Sequence, residues 1–383
     1  MKILVTSLPD IRKIHPQRPH HLLKNLSRNH EITVLCVNAW WLREIQDEYL
    51  KSIVENVELY YLTESKLNAI VQETLSFKNL RRLSENHDFD IHISFNSLIM
   101  GYTAKKILKI PTVFDVCDDI IRWIDISPRV PSLLKPVGRS FGYFMFKKFV
   151  KISEKVTYSA DFLRRSFALP ESKSSLVPNG VDLNLFYKRT GEIRKQLSIP
   201  EDVFIIGFVG FLGDWVDMKS VFKVLKIIRN QLKIKMLIVG NGSRFTEFNE
   251  LSKRYGIRDL VIFTGEIPYL KVPEYISAMD VCLLPFDKSA VSQSALPLKL
   301  FEYMACEKPV ISTPLPTIRD TVGDKLFFVS DATGLKEAIL RLYHDEQLRR
   351  ELGRKGRNFV KQNYNWDTIA KKFEMILLRE SES

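Results

Sequence analysis

One stretch concentrates the residue types that chemistry needs: Ser294-Ala-Leu-Pro-Leu-Lys-Leu-Phe-Glu302-Tyr-Met-Ala-Cys-Glu-Lys-Pro-Val-Ile-Ser-Thr313. Pro297 suits the first turn of a helix, where free backbone amides and the helix dipole favour an anion. Leu298 follows it, and Lys299 adds a full positive charge there. Glu302, one turn further in, can accept two hydrogen bonds from a vicinal diol such as a ribose. The same residues also read as an ordinary amphipathic helix carrying a Lys299–Glu302 pair. Spacing alone leaves both readings open.

A second group closes an apolar run: Ile110-Pro-Thr-Val-Phe-Asp-Val-Cys-Asp-Asp119. Asp118, and after it Asp115, can orient or deprotonate a hydroxyl, since carboxylates act as general bases within hydrogen-bond reach. Asp118 or Asp119 would serve equally as the cap of the next helix. Cys117 has no basic neighbour to activate it as a nucleophile. Near the start, Ile14-His-Pro-Gln-Arg-Pro-His-His21 leads into a helix, and Gln17 and Arg18 are placed to meet a phosphate of a donor or of a lipid-linked acceptor. His15, His20 and His21 read as surface residues, because the loop lacks the carboxylates of a metal site. Asp88-Phe-Asp90 precedes a strand and reads as a turn. No metal and no cofactor are expected. The segment 137–151 mixes aromatics with lysines and reads either as a membrane-surface helix or as a helix covering a sheet.

These groups need a framework to position them. The 383 residues, 45% hydrophobic and 27% charged, suit two packed domains. No run approaches the roughly 20 apolar residues of a membrane span, and the first apolar run ends at Pro9-Asp10, so neither a span nor a cleaved signal is expected. Four widely spaced cysteines without a CxxC grouping predict a reduced, cytoplasmic protein, with Cys36 and Cys282 packed inside strands. The net charge of +12 calls for an anionic partner: nucleic acid, anionic lipid or a phosphorylated substrate. The excess lies in the first half, at Lys2, Arg12, Lys13 and Arg18 and again from Arg129 to Lys155. Nucleic acid is not expected, since no binding motif is present and the lysines are not interleaved with aromatics at sheet-face spacing. Peripheral contact with the inner face of a membrane is.

Short apolar runs at 2–6, 32–37, 56–62, 90–95, 112–116, 155–159 and 174–177 alternate with amphipathic segments, and a second series runs through 203–209, 233–239, 260–264, 280–285, 309–312 and 326–329. That alternation is the pattern of α/β architecture with parallel sheets covered by helices. Two doubly wound, Rossmann-like domains are predicted, 1–188 and 189–365, with the junction in the polar stretch 187–200 and a C-terminal helix, 366–383, returning to the first. Ligands of such sheets bind beyond the carboxyl ends of strands, here in a cleft between the domains.

The segment around Pro297, Lys299 and Glu302 resembles the nucleotide-sugar signature of GT-B glycosyltransferases of the family-4 type. Ser174-Ser-Leu-Val-Pro-Asn-Gly-Val-Asp-Leu-Asn-Leu-Phe186 resembles the motif closing their first domain, and Gly207-Phe-Val-Gly-Phe-Leu-Gly213 the strand and loop opening their second. Leu237-Ile-Val-Gly-Asn-Gly242, Val261-Ile-Phe-Thr-Gly265 and Asp280-Val-Cys-Leu-Leu-Pro285 resemble the strands that follow. The resemblance implies a retaining hexosyl transfer from a nucleotide sugar such as a UDP- or GDP-sugar, without a catalytic metal. It also implies a donor site from Gly210, Gly213, Asp217, Lys219, Gly242, Ile267, Pro297, Leu298, Lys299 and Glu302. The Pro-x-Lys-x-x-Glu form and the Trp215-x-Asp217 pair resemble a subgroup of cell-surface polysaccharide assembly, with a lipid-linked or glycan acceptor. Departures are visible. Ser294 stands where relatives carry a first Glu, Cys117 stands where they carry a His, and the loop 213–219 offers Lys219 but no arginine. An epimerase of the same fold, a basic nucleic-acid binder and a catalytically silent relative are the alternatives.

Overall fold

The structure is a computed structural model and describes residues 1–126 and 130–382. Arg129 lies outside the described residues. The first unit comprises Met1–Asn179 and the C-terminal helix Trp366–Ser381, and the second comprises Gly180–Asn365. The change of unit thus falls just upstream of the polar stretch 187–200.

In the first unit, β1 (Lys2–Ser7), β2 (Glu31–Cys36), β3 (Glu58–Tyr61), β4 (Ile91–Phe95), β5 (Thr112–Val116), β6 (Lys155–Tyr158) and β7 (Ser174–Leu176) form a parallel sheet in the order β3-β2-β1-β4-β5-β6-β7. β4 and β5 are buried along their whole length. Strands covered on both faces read as near-continuous apolar runs, which is why the sequence marks them. A polar residue inside such a strand needs partners. His92 on β4 finds Thr6 Oγ1 at 2.9 Å and Thr112 Oγ1 at 3.3 Å, and burial pushes its pKa down to about 3. The helix Lys135–Ile152 covers one face by setting Phe146 and Phe149 against Phe114, with ring centroids 5.4 and 4.4 Å apart. The C-terminal helix packs Phe373 against Phe95 at 6.4 Å and stacks Trp366 on His21 at 5.0 Å.

In the second unit, β8 (Phe204–Val209), β9 (Ile234–Val239), β10 (Val261–Gly265), β11 (Val281–Leu284), β12 (Val310–Ser312) and β13 (Phe327–Phe328) run parallel in the order β10-β9-β8-β11-β12-β13. Every strand expected from the sequence is present, with ends shifted by no more than two residues. Both sheets reverse direction once, at β1/β4 and at β8/β11. Such switch points open a crevice beyond the strand ends. The helix Leu298–Ala305 is held there by its buried face. Tyr303 is fully buried and its hydroxyl accepts a 2.8 Å hydrogen bond from the Val209 amide at the end of β8. Phe301 stacks on Tyr364 at 4.5 Å. Behind it lies the long helix Glu346–Asn363, where a Cβ at Gly353 would stand 2.1 Å from the Glu307 carbonyl. Only a glycine allows that approach.

Candidate active site

In the second unit, three loops beyond the strand ends are stitched by backbone bonds. The Gly210 amide donates to Val239 O at 2.8 Å, Leu212 to Asn241 O at 2.9 Å, and Gly240 to Gly265 O at 2.8 Å. Gly210 and Gly240 adopt φ of +130° and +126°, a region that disfavours any side chain. A Cβ on Gly240 would also stand 2.3 Å from Gly210 O, and one on Gly242 would stand 2.5 Å from the Leu212 backbone. Gly213 is closed off by the Trp215 ring, 2.6 Å from where its Cβ would lie.

Lys299 reaches this backbone. A Cβ on Gly210 would come within 2.3 Å of its Nζ, which lies 4.3 Å from the Phe208 ring centroid and 5.7 Å from that of Phe286. Phe208 belongs to β8 and Phe286 follows β11, so the ammonium sits at the switch point. Among the described residues no carboxylate lies within ion-pair distance of it, and burial lowers its pKa to about 8. Pro297 starts the helix with φ −72° and ψ 137°, and no side chain caps the amides of Leu298 and Lys299. A cation among phenylalanine faces, beside uncapped amides and with Glu302 acting on it only at longer range, leaves room for an anion.

Glu302 is buried, 7% exposed, and its Oε1 accepts a 2.7 Å hydrogen bond from the Tyr269 hydroxyl. Burial raises its pKa to about 7, against the opposing pull of Tyr269 and Lys299. Tyr269 follows the expected Ile267 by two residues. Tyr269, Phe208 and Phe286 were not anticipated, because only the packing of distant loops brings them to Lys299 and Glu302.

Other expected donor residues have different partners. Asp217 caps the helix Met218–Ile228, accepting from Ser220 N at 3.0 Å and Ser220 Oγ at 2.6 Å. Lys219 is exposed on its first turn, and Ile267 is partly buried. Ser294 is buried and donates its hydroxyl to Val291 O at 2.9 Å, which spends it on the local backbone. An arginine does reach the loop after β8, from the next strand's loop: Arg244 pairs with Asp214 at 2.9 Å. A cavity of about 530 Å³ in the same unit is lined by Lys188, Lys308, Arg349 and Arg354. It lies at the amino ends of β11 and β12, away from these loops.

In the first unit the structure separates residues that the sequence grouped. Arg18 is 3% exposed and grips Asp115 with both arms, Nε to Oδ2 and Nη2 to Oδ1, each at 2.8 Å. Its Nη1 donates to Pro178 O at 2.8 Å, and Thr157 donates to Asp115 Oδ1 at 2.6 Å. The expectation that Arg18 meets a phosphate and Asp115 a hydroxyl is therefore corrected, because each is spent on the other inside the fold. Gln17 is exposed, and its backbone N–H donates to His20 Nδ1 at 3.0 Å. His20 and His21 are buried, contrary to the surface reading. His20 Nε2 reaches Ile11 O at 2.8 Å, and burial holds its pKa down at about 4.

Asp118 differs from its neighbours. Asp119 Oδ1 accepts from the Arg122 amide at 3.0 Å and so caps the next turn. The Asp118 carboxyl has no hydrogen-bond partner among the described residues and is partly exposed. Desolvation raises its pKa to about 7, Arg18 opposing and Asp119 and Asp115 adding to the rise. Cys117 is buried, receives Asn96 Nδ2 at 2.8 Å, and has its thiol pKa pushed well up by burial, so it is inert. Asp90 Oδ2 accepts from the Lys2 amide at 2.7 Å, as a turn residue does. Among the described residues no group of three or more metal-ligating side chains occurs.

Residues 189–359 match the family described as glycosyl transferases group 1. The second unit is a group 1 glycosyltransferase domain. The protein is an enzyme that carries this domain, and its two parallel sheets match those of GT-B glycosyltransferase structures. It is similar to N-acetyl-alpha-D-glucosaminyl L-malate synthase of Bacillus anthracis, 26% identical over 302 residues that span 76% of this chain and 74% of that one. Among solved structures it resembles sucrose-phosphate synthase of Thermosynechococcus elongatus, with a TM-score of 0.80 at 18% identity over 99% of this chain and 98% of that one. It also resembles Anabaena HepE in complex with UDP, with a TM-score of 0.75 at 17% identity over 99% and 100%. At such identities the two structures speak to the fold alone.

Proposed function

We propose that this glycosyltransferase moves a hexosyl group from a nucleoside-diphosphate sugar to an acceptor hydroxyl with retention of configuration. We place it in the assembly of a cell-surface polysaccharide or glycolipid. The observation that carries this reading is Lys299, a buried cation in no ion pair among the described residues, set against Gly210 and the start of the helix Leu298–Ala305. A diphosphate would supply the missing charge, and Glu302 would accept the ribose hydroxyls. Fixed amides and an ammonium then stabilise the negative charge that builds on the leaving diphosphate as the sugar–oxygen bond breaks. Asp118, on the other unit, takes the acceptor role: it orients the incoming hydroxyl and receives its proton. Retention without a second carboxylate suggests attack from the face of the leaving phosphate. The polysaccharide role rests on the Pro-x-Lys-x-x-Glu and Trp215-x-Asp217 patterns.

The test is a thermal-shift panel of UDP, GDP, ADP and their sugars, since a ligand at 100 times its Kd adds about 2.7 kcal/mol to a native protein. UDP is the first to try, because a protein of similar fold binds it. No shift with any of them would remove the donor site. Glu302→Ala should weaken nucleotide binding about 10- to 100-fold, the worth of a charged hydrogen bond at 1.5–3 kcal/mol. It should also abolish any preference for the ribo- over the 2′-deoxyribonucleotide. A folded variant that keeps both properties would refute the ribose assignment.

The metal-free reading predicts that transfer survives EDTA. Loss on chelation with recovery on adding Mg²⁺ or Mn²⁺ would reverse it and return attention to Asp118 and Asp119.

A further inference from the structure

The helix Lys135–Ile152 uses only part of its circumference for the core. Phe146 and Phe149 are buried, while Phe141 and Phe144 are 53% and 55% exposed, and Val137 and Leu133 are 67% and 88% exposed. The spacing 137, 141, 144 follows the helical repeat, so these apolar groups share one outward face, and Leu133 lies in the 3-10 turn just before the helix. Lys148 continues that face and lies over the Phe144 ring at 5.4 Å. The helix carries five basic residues and no acidic one. Lys135 and Arg139 are engaged by Asp125 at its N-terminal end, whereas Lys147, Lys148 and Lys151 form no ion pair among the described residues. Lys173 adds another cation at the far end by donating to Lys151 O at 2.9 Å. The face is thus apolar along its first half and cationic along its second.

Contiguous exposed apolar side chains mark a binding surface, and the charge says what binds. A second copy of the chain would bring like charges together, so self-association through this face is opposed. An apolar layer beneath fixed negative charge complements both halves, and a lipid leaflet with anionic headgroups has that composition.

We propose that this face docks on an anionic lipid surface, with Val137, Phe141 and Phe144 entering the headgroup layer and Lys147, Lys148 and Lys151 meeting the phosphates. The inference is independent of the nucleotide-sugar reading, since all these residues lie in the first unit. Each lysine contributes about a fivefold gain in affinity near such a surface, and the contribution falls away as salt screens it.

The test is co-sedimentation of the full chain with phosphatidylglycerol-containing vesicles and with pure phosphatidylcholine vesicles. Two double variants accompany it, Phe141→Ser with Phe144→Ser and Lys147→Ala with Lys148→Ala. Exposed positions should leave the melting temperature unchanged, which checks folding. Expected are binding to the anionic vesicles, at least tenfold weaker binding to the zwitterionic ones, and a loss of about tenfold or more in each variant. The lysine pair accounts for roughly 25-fold by itself at low salt. Equal binding to both vesicle types, no binding at low salt, or full binding by the phenylalanine variant would overturn the proposal. So would a dimer that the phenylalanine variant dissociates, which would assign the face to a second copy.

Discussion

Asp118→Asn should lower kcat for sugar transfer by about 10²- to 10⁴-fold, the usual worth of a positioned general base, while nucleotide affinity in the other unit stays the same. The reason is chemical economy. Of the three carboxylates in 115–119, Asp115 is consumed by Arg18 and Asp119 by the Arg122 amide, which leaves Asp118 with free acceptor capacity. A base works best when its pKa lies near the working pH, and desolvation has brought this one to about 7. The rate should therefore fall as pH drops below about 7, and that acid limb should vanish in the variant. An Asn variant with kcat within about threefold of the parent would exclude Asp118 from catalysis.

Stability supplies an independent readout of opposite sign. The folded pKa of about 7 lies above the ordinary carboxyl value of 3.8. Between these limits the folded chain keeps a proton that the unfolded chain has lost. The contribution is fully present below pH 3.8 and is lost as pH rises through 7. Above that, holding the charged form costs on the order of 1–3 kcal/mol, allowing for partial exposure. Asn carries no such penalty, so the variant should melt higher than the parent at pH 8 and at nearly the same temperature at pH 4. Lost activity with gained stability cannot be misfolding. It is the trade expected where a group is held in an unfavourable state for function.

The strand series was legible because strands buried on both faces must be written as apolar runs, and helices between them as amphipathic ones. What escaped was whatever depends on contacts distant in sequence. Arg18 and Asp115 each looked like a ligand group until the fold joined them. The burial of His20 and His21 comes from Ile11 and from Trp366 of the last helix, which no local window contains. The helix Glu346–Asn363 was not expected because much of its seating is done by Gly353 and Gly356, whose lack of a side chain leaves no apolar stripe to read. Lys299 and Glu302 were legible because both sit on one helix turn. Their shared partners, Phe208, Phe286 and Tyr269, were not.

Lys299→Met gives the other large effect: nucleoside-diphosphate affinity should fall about 10²- to 10³-fold, the roughly 3–4 kcal/mol at stake when one partner of a desolvated charge pair is removed. Methionine keeps an apolar stem for the Phe208 and Phe286 rings, so packing is preserved while the charge goes. In the free protein, burial lowers the lysine pKa from 10.5 to about 8. A depressed group contributes its stability above its unfolded pKa and loses it as pH falls through the folded one, so at neutral pH the ammonium burdens the fold. The Met variant should accordingly be more stable without ligand below pH 8, by about 1–2 kcal/mol for a partly buried group. Nucleotide reverses the sign. A bound diphosphate favours the ammonium, so parent affinity should decline as pH rises through about 8, and the variant should show no such decline. Calorimetric titration of both proteins with UDP and GDP at pH 6.5 and 9 tests the whole scheme. If Lys299→Met binds either nucleotide within about threefold of the parent at both pH values, the ammonium at Gly210 is a packing feature and the diphosphate lies elsewhere.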